Sequence, residues 1–175
     1  MTAEEKYSKK VKADAEMILK MTNLVEVLSE FGEVKIGGSY KYDLMWGPDI
    51  DIVVICMDPR KMSVAALNKI IELRLFQKYE YGDFVKFKRE HRPESYIVNM
   101  ILPFEGKKWE VEAWFFKDYP ESQKEMDELI SNNLNEENRR SILEMKRKRE
   151  ETGMTKYNID STTIYKMVLA EKIKN

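Results

Sequence analysis

The segment from Ile50 to Cys56 constrains the fold more than any other part of the chain. Its residues are almost wholly apolar after Asp51 and most are β-branched, which is typical of a core strand. Asp49 and Asp51 flank Ile50 where this strand begins. Because successive residues of a strand point to opposite faces, we expect both carboxylates on one face, about 7 Å apart along the chain, and Ile50 in the core.

Other strands are predicted on both sides of this core strand. Val34 to Ile36 form a short one before it, and Phe84 to Arg89, Tyr96 to Leu102 and Trp109 to Phe116 follow it, with a hairpin at Phe104–Lys108. The later strands are too close together for the crossover helices that parallel neighbours require. We therefore expect an α/β fold of the α+β type, whose mixed, mostly antiparallel sheet is flanked by helices, and not a doubly wound parallel sheet.

Helical spacing of apolar residues predicts a helix before and after the core strand. The first thirty residues are helical up to a stop at Gly32. Asp58-Pro59 begins the second helix, which is expected to run to about Tyr79. The residues predicted to face the core are Val11, Ala15, Ile18, Met21, Val25 and Leu28 in the first helix and Val64, Leu67, Ile71 and Leu75 in the second.

The chain is predicted to become helical after Pro120, a residue that suits the first turn of a helix. The predicted helices span about 121–133, 136–151 and 161–173, the last one capped by Asp160 or Ser161. The expected organisation is an α/β core over residues 1–117, with the N-terminal helix included. A helical C-terminal segment over residues 118–175 would pack on that core and help to build an acceptor pocket or a dimer interface.

The charges of the chain are nearly balanced, with 30 Lys and Arg residues against 31 Asp and Glu residues and a formal net charge of −1. Proteins that coat nucleic acid usually carry a broad excess of cations, so this balance argues against an extended nucleic acid as the partner. A single cysteine and a single histidine also argue against a zinc site.

The cysteine content and the apolar runs bear on location. Cys56 has no second cysteine to pair with, and a reducing cytoplasm is its simplest environment. The longest apolar runs fall short of the roughly 18 residues that a membrane span requires. The N-terminal residues lack the apolar core of a signal peptide. We therefore expect a cytoplasmic protein that does not cross a membrane.

Asp49 and Asp51 would repel each other unless positive charge lies between them. A pair of divalent cations would supply that charge, and two metal ions can stabilise both the attacking and the leaving oxygen of a phosphoryl displacement. Mg²⁺ takes few carboxylates together with substrate phosphates. The sparse acidic set therefore indicates two Mg²⁺ ions, with Mn²⁺ as a substitute, before calcium or zinc.

A glycine turn, Gly38-Ser39, lies ten residues before the first aspartate. A turn of this kind into a helix N-terminus exposes backbone N–H groups to an anion, and the Ser39 hydroxyl adds a donor. Ser39 is also expected to cap a short helix that continues to about Met45. The turn lacks the G-K-[ST] ending of a P-loop. It indicates either a phosphate site or a plain capped turn.

A later strand carries two more acidic residues, Glu110 and Glu112, which share a face because Val111 separates them. Next to the aspartate pair, one of them would hold a metal or take a proton from an attacking hydroxyl. We favour Glu112, since it lies deeper in the strand, and keep Glu110 as the alternative. The other reading is a polar face of an amphipathic strand.

Taken in order, these residues resemble the signature of the DNA polymerase β-like nucleotidyltransferase superfamily. The signature has a Gly-Ser turn, an Asp-x-Asp pair about ten residues later and a third carboxylate on a following strand. The resemblance covers residues 30–117 and is closest to small bacterial and archaeal nucleotidyltransferases, which include antibiotic-modifying enzymes. It implies that Asp49, Asp51 and Glu112 bind two Mg²⁺ ions and perform catalysis, and that Gly38 and Ser39 hold a nucleoside triphosphate.

The chain departs from the family pattern directly after this turn. Many members continue as G-S-x-x-x-G, whereas Tyr42-Asp43 stands in that continuation here. Lys41 supplies a positive charge and is assigned to nucleotide binding by the resemblance. The departure bears on how the triphosphate is contacted and on whether the site is catalytic.

Several other polar and aromatic residues have two readings each. Lys86, Lys88 and Arg89 fit an exposed strand face or an acceptor groove, and the run Lys146–Arg149 fits a solvated helix face better than a nucleic-acid site. The tryptophans Trp46, Trp109 and Trp114 are expected in the core. Trp46, beside the cleft, would alternatively stack on a base or an acceptor.

The resemblance implies that a nucleoside monophosphate is transferred from an NTP such as ATP to an acceptor hydroxyl, and that pyrophosphate is released. Near-neutral charge favours a small-molecule or protein acceptor. The rival expectation is a catalytically inactive nucleotide-binding or protein-interaction module on the same fold. The acceptor, the preferred base and the oligomeric state, a homo-oligomer among them, are left open by the sequence.

Overall fold

The protein is an α+β structure with seven helices and one five-stranded mixed sheet in the described part of the chain. The computed structural model describes residues 1–90, 92–154 and 158–170. Its elements in chain order are α1 Ala3–Thr22, α2 Leu24–Ser29, β1 Glu33–Ile36, α3 Gly38–Lys41, β2 Asp49–Ile55, α4 Pro59–Leu73, β3 Lys78–Asp83, β4 Tyr96–Phe104, β5 Lys107–Phe116, α5 Glu121–Asn133, α6 Glu136–Glu151 and α7 Ser161–Ala170. No helix within these ranges is both long and apolar enough to span a bilayer.

The sheet has the strand order β1-β2-β5-β4-β3. β2 and β5 are parallel neighbours, and every other pair is antiparallel. The predicted mixed, mostly antiparallel sheet is therefore confirmed. The parallel pair requires a long connection, which α4 and the β3–β4 segment provide. The predicted hairpin is also confirmed, since Glu105 and Gly106 join β4 to β5 with φ angles of 47° and 70°.

One face of the sheet is packed against helices and the other carries the acidic residues. The packed face includes Ile52, Val98 and Phe115, which share a core with Val11 and Ile18 of α1. Side chains alternate between the two faces along each strand. The residues that alternate with this packed set therefore point to the opposite face, and they include both aspartates of β2 and both glutamates of β5. We call this opposite surface the acidic face.

A second hydrophobic cluster joins the C-terminal helices to the segment before β2. Its buried residues are Leu44, Trp46, Ile130, Ile142, Leu143, Ile164, Tyr165 and Leu169. The three predicted C-terminal helices are present, and the Thr163 N–H donates to Asp160 Oδ1 at 2.7 Å, so Asp160 caps the last one. Residues 171–173 of that predicted helix lie outside the described residues.

The long N-terminal helix was predicted as one element, and this is wrong. α1 ends at Thr22, because Asn23 adopts a left-handed conformation with φ 48°, and α2 ends at Ser29, before the predicted stop at Gly32. A Cβ on Gly32 would lie 2.4 Å from the Ile55 carbonyl oxygen. Gly32 thus permits a close approach to β2 and does not end a helix.

The predicted end of α4 and the strand after it are also wrong. α4 ends at Leu73, where Arg74 adopts a left-handed conformation, and the next strand is Lys78–Asp83. The predicted strand at Phe84–Arg89 is a loop. Asp83 stops β3, because its Oδ1 accepts the backbone N–H groups of Val85 and Lys86 at 3.1 and 2.8 Å.

Candidate functional site

The two aspartates lie at the start of β2, as predicted, and both are half-buried. In the parallel ladder Asp49 is opposite Glu110 and Asp51 is opposite Glu112. Opposite residues of a ladder share a face, so the four carboxylates lie together on the acidic face. Strand pairing thus brings two acidic pairs together from distant parts of the sequence.

Two glycines leave room for the two aspartate side chains. A Cβ on Gly38, whose φ is +58°, would lie 2.1 Å from Asp51 Oδ2. A Cβ on Gly47 would lie 2.6 Å from Asp49 Oδ1. The Gly37 N–H donates to the Asp51 carbonyl oxygen at 2.8 Å, which fixes the turn on the strand. The glycine turn and the second aspartate therefore form one compact unit.

Ser39 lies inside the short helix α3 and does not cap it. Gly37 is the N-cap residue, and α3 ends at Lys41 instead of near Met45, so both predictions are wrong. Ser39 is 8% exposed. Its carbonyl oxygen accepts the Leu44 N–H at 2.9 Å, which turns the chain back toward β2. Helix α3 is only one turn long, because the Ser39 carbonyl oxygen bonds to the Leu44 N–H and not to the N–H that would continue the helix.

The structure distinguishes the two candidate third carboxylates. Glu110 accepts a hydrogen bond from Asn99 Nδ2 of β4 at 2.8 Å, and its own N–H donates to the Pro48 carbonyl oxygen at 2.9 Å. Glu112 is the direct neighbour of Asp51 in the ladder and is half-buried. Glu110 is thus fixed to a neighbouring strand, while Glu112 lies beside the aspartate that contacts the glycine turn.

Lys146 was missed by the sequence analysis, and the prediction of a solvated helix face is wrong for it. The side chain is 2% exposed, and its Nζ donates to the Leu44 carbonyl oxygen at 2.6 Å and to the Tyr165 hydroxyl at 3.0 Å. Burial lowers the pKa of Lys146 to about 7, although the negative charges of Asp49 and Asp51 oppose that fall. The amine of Lys146 therefore lies within electrostatic reach of the acidic pair.

Helical spacing contained a signal for this lysine. Lys146 follows the buried Ile142 by one turn, so both lie on the same side of α6. Tyr165, on α7, responds to the same acidic pair, because burial and then the charges of Asp49 and Asp51 raise its pKa. The C-terminal helices thus form part of the electrostatic environment of the acidic face.

Lys41 and Tyr42, at the C-terminal end of α3, tie this helix to the rest of the molecule. Lys41 Nζ donates to Asp127 Oδ2 at 2.7 Å, and the Tyr42 hydroxyl donates to Asp127 Oδ1. The Tyr119 hydroxyl donates to the same carboxylate at 3.0 Å. Burial raises the pKa of Asp127, but these three hydrogen bonds outweigh it and hold the pKa below its usual value.

Asp43 completes this set of ties. Its side chain forms an ion pair with Lys12 of α1, and its carbonyl oxygen accepts a hydrogen bond from Arg139 Nη1 at 2.8 Å. The same guanidinium donates to the Tyr42 carbonyl oxygen at 2.7 Å. Tyr42 and Asp43 therefore connect the glycine turn to three helices.

We expect Asp127→Ala to lower the free energy of unfolding by about 1–3 kcal/mol, since it leaves the Tyr42 and Tyr119 hydroxyls without their acceptor. Urea denaturation at neutral pH measures the change. Glu128→Ala, at the exposed neighbouring position, is the matched control and should change stability by less than about 0.5 kcal/mol. Equal effects of the two variants would show that the Asp127 contacts are not stabilising.

The tryptophans occupy three different environments. Trp109 is fully buried in the main core, as predicted. Trp46 packs on Tyr7 with ring centroids 4.6 Å apart, and its Nε1 donates to Glu150 Oε2 at 2.7 Å. Trp114 is half-buried, and its position opposite Val53 places it on the acidic face. The prediction that all three tryptophans are core residues is wrong for Trp114.

The donor chemistry of the site fits Mg²⁺. This ion is bound by one or two protein carboxylates together with waters and substrate phosphates, and Asp49 and Asp51 supply two carboxylates on one face of β2. Within the described ranges, no three acidic, histidine or cysteine side chains converge as a ready metal cluster.

No family model and no curated protein matches this chain.

Proposed function

We propose that this protein is a Mg²⁺-dependent nucleotidyltransferase. It would transfer a nucleoside monophosphate from an NTP to an acceptor hydroxyl and release pyrophosphate. The observation that supports this most is the parallel pairing of β2 with β5, which sets Asp51 beside Glu112 while Gly38 packs against Asp51. We include the nucleotidyltransferase fold in this proposal. The strand order β1-β2-β5-β4-β3 supports it, as does the order of the Gly-Ser turn, the aspartate pair and the third carboxylate along the chain.

Each residue of the site has a role in this proposal. Asp49 and Asp51 would hold Mg²⁺, which when bound stabilises negative charge on the transferring phosphoryl group. Glu112 would complete the metal site or accept the proton of the acceptor hydroxyl. Gly38 and Ser39 would position the triphosphate, and the glycine is required because a side chain there would collide with Asp51.

Two lysines adjust the charge of the site. Lys41 lies at the end of α3 and is bound to Asp127, so it would exchange that carboxylate for a phosphate oxygen when a nucleotide binds. Lys146 is held by Leu44 and Tyr165, and in its protonated form it would offset part of the repulsion within the aspartate pair.

A second candidate function is a nucleotide-binding or protein-interaction module without catalysis. Its support is that Lys41, the cation next to the glycine turn, is already bound to Asp127. The two functions differ in turnover: the enzyme releases pyrophosphate, whereas the module binds NTP or a protein partner without consuming NTP.

A screen of the four NTPs with Mg²⁺ or Mn²⁺ against pooled small-molecule and protein acceptors tests the proposal. Pyrophosphate release that depends on both metal and acceptor is the expected result, and EDTA should abolish it. NTP binding without pyrophosphate release across all pools would favour the inactive module.

We expect Gly38→Ala to abolish measurable Mg²⁺-dependent NTP binding, because its Cβ would displace the Asp51 carboxylate. Gly106→Ala is the matched control, since that glycine also has a positive φ, 70°, but nothing lies within 4 Å of the added Cβ. Both variants should lose about 1–2 kcal/mol of stability through backbone strain. Normal NTP binding by Gly38→Ala would show that contact between the turn and Asp51 is unimportant.

A further inference from the structure

The loop between β3 and β4 contacts the acidic face through aromatic and basic side chains. The loop is closed at its base, where the Phe84 N–H donates to the Ser95 carbonyl oxygen at 2.9 Å. Gly82 is the last β3 residue on this face, and a Cβ there would lie 2.6 Å from Ile97 Cγ2 and 3.3 Å from the Phe84 ring. The missing side chain therefore leaves room for both Ile97 and Phe84.

Two aromatic rings and two arginines form a continuous stack at this place. The Phe84 and Trp114 ring centroids are 6.0 Å apart and tilted by 41°. The Arg89 guanidinium lies 4.4 Å from the Phe84 centroid, and the Arg92 guanidinium lies 5.3 Å from the Trp114 centroid. Both arginines are exposed and both rings are half-buried. We call these four residues the aromatic–arginine stack.

The stack lies next to the proposed third carboxylate. Trp114 follows Glu112 by two residues on β5, so the two side chains share a face about 7 Å apart along the strand. That separation is comparable with the span of one nucleoside. A group held on the stack would thus present a neighbouring hydroxyl toward Glu112.

The described part of the loop carries more positive than negative side chains, so it favours an anionic ligand. The described cations are Lys86, Lys88, Arg89 and Arg92, against Glu90 and Glu94. Lys88 is in an ion pair with Glu94, whereas Arg89 and Arg92 lie over the rings. Guanidinium groups bind phosphate through paired hydrogen bonds, and aromatic rings stack on planar bases. The stack is complementary to a flat ring that carries a negative charge.

We propose that the aromatic–arginine stack is the acceptor subsite, and that the acceptor is anionic and presents a planar ring with a phosphate, as a nucleotide unit does. This rests on the proposed nucleotidyltransferase function. A free mononucleotide and the end of a short oligonucleotide share this chemistry. The limited positive charge of the loop suits one or two phosphates and not a long backbone.

Calorimetric titration of 5′-AMP into the whole protein in EDTA, without NTP, tests the subsite apart from catalysis. We expect saturable binding that Arg92→Gln and Trp114→Leu each weaken about tenfold, the loss expected for one charge-assisted or stacking contact. Lys88→Gln removes a cation from the same loop but not from the stack, and it should change the dissociation constant less than about twofold. Adenosine, which lacks the phosphate, should bind at least about tenfold more weakly than 5′-AMP.

Three results would overturn the subsite: no saturable binding of 5′-AMP, equal binding of adenosine, or equal weakening by Lys88→Gln. A separate titration with a short oligoribonucleotide shows whether the free mononucleotide or the oligonucleotide binds more tightly. Asp51→Asn should leave this metal-free binding intact. Binding without NTP turnover would therefore contradict only the enzymatic proposal, and turnover without binding would contradict only the subsite.

Kinetics provide a second, independent readout. Arg92→Gln should raise the KM for the acceptor identified in the NTP screen and leave the KM for NTP within about twofold of wild type. A rise confined to the KM for NTP would place the donor nucleotide on the stack and overturn the assignment.

Discussion

Asp51→Asn is expected to lower Mg²⁺-dependent pyrophosphate release by about 10²–10³-fold, and Asp49→Asn by a similar factor. This is the usual loss when one group that stabilises the charge of the transition state is removed. The amide has the shape of the carboxylate but lacks the negative charge that holds the metal ion. Because the two residues act as one unit, the double variant should lose little more than either single variant. Steady-state assays with the responsive NTP and acceptor measure these ratios.

The fold should survive both changes, which separates this prediction from simple unfolding. Asparagine has nearly the same shape as aspartate, so each variant should keep a cooperative thermal unfolding transition. Glu80→Gln is the matched control, because Glu80 is opposite Asn99 on the same sheet face and is exposed. Wild-type turnover by the double variant would disprove the proposed mechanism.

Lys146→Met is expected to remove a strong pH dependence of stability. In the unfolded chain this lysine keeps its proton up to its usual pKa near 10.4, whereas burial lowers the folded pKa to about 7. Between these values the unfolded state binds more protons, so wild-type stability rises with pH by up to about 1.4 kcal/mol per unit. Below the folded pKa both states are protonated and the cost of burying the charge is fully present.

Urea unfolding at several pH values between the two pKa values measures this slope. Lys146→Met should be flatter than wild type across the range. The variant also leaves the Leu44 carbonyl and the Tyr165 hydroxyl without this donor, which costs about 1–3 kcal/mol at every pH and does not change the slope. Lys148→Met, exposed and paired with Glu144, should keep the wild-type slope. Identical slopes for both variants would mean that Lys146 retains its usual pKa when folded.

The elements that sequence analysis predicted well are those whose signals are local. β2 is an almost continuous β-branched apolar run, and α4 begins directly after its N-cap Asp58, whose Oδ1 accepts the Lys61 N–H at 3.0 Å. The hairpin between β4 and β5 depends on a two-residue turn that includes a glycine. Each signal is contained within a few residues, so no tertiary information was needed.

The errors arose where tertiary packing chose the buried face. On α4 the predicted core stripe includes Val64 and Ile71, both exposed, while the buried positions are Ser63, Ala66 and Ile70. Small residues pack there because the helix lies close to the sheet. An edge strand such as β3 is held mainly by its pairing with β4, and its polar sequence gives little sign of that pairing.

The candidate site could be predicted as a list of residues but not as an arrangement. The i, i+2 spacing placed each acidic pair on one face, yet the register that sets Asp51 opposite Glu112 depends on which strands are neighbours. Lys146 was hidden in a run of charges, since its burial depends on contacts with Leu44 and Tyr165 from other elements. Trp114 was assigned to the core although it follows Glu112 by two residues and therefore shares the face of that carboxylate.

The most direct test of the central claim is calorimetric titration of NTP into wild-type protein and into Asp51→Asn, each with Mg²⁺ and with EDTA. If Asp49, Asp51 and the Gly38 turn form a Mg²⁺-nucleotide site, wild type binds NTP only with Mg²⁺, and the folded variant shows no Mg²⁺-dependent binding. NTP binding that is indifferent to both Mg²⁺ and the Asp51 substitution would contradict the claim.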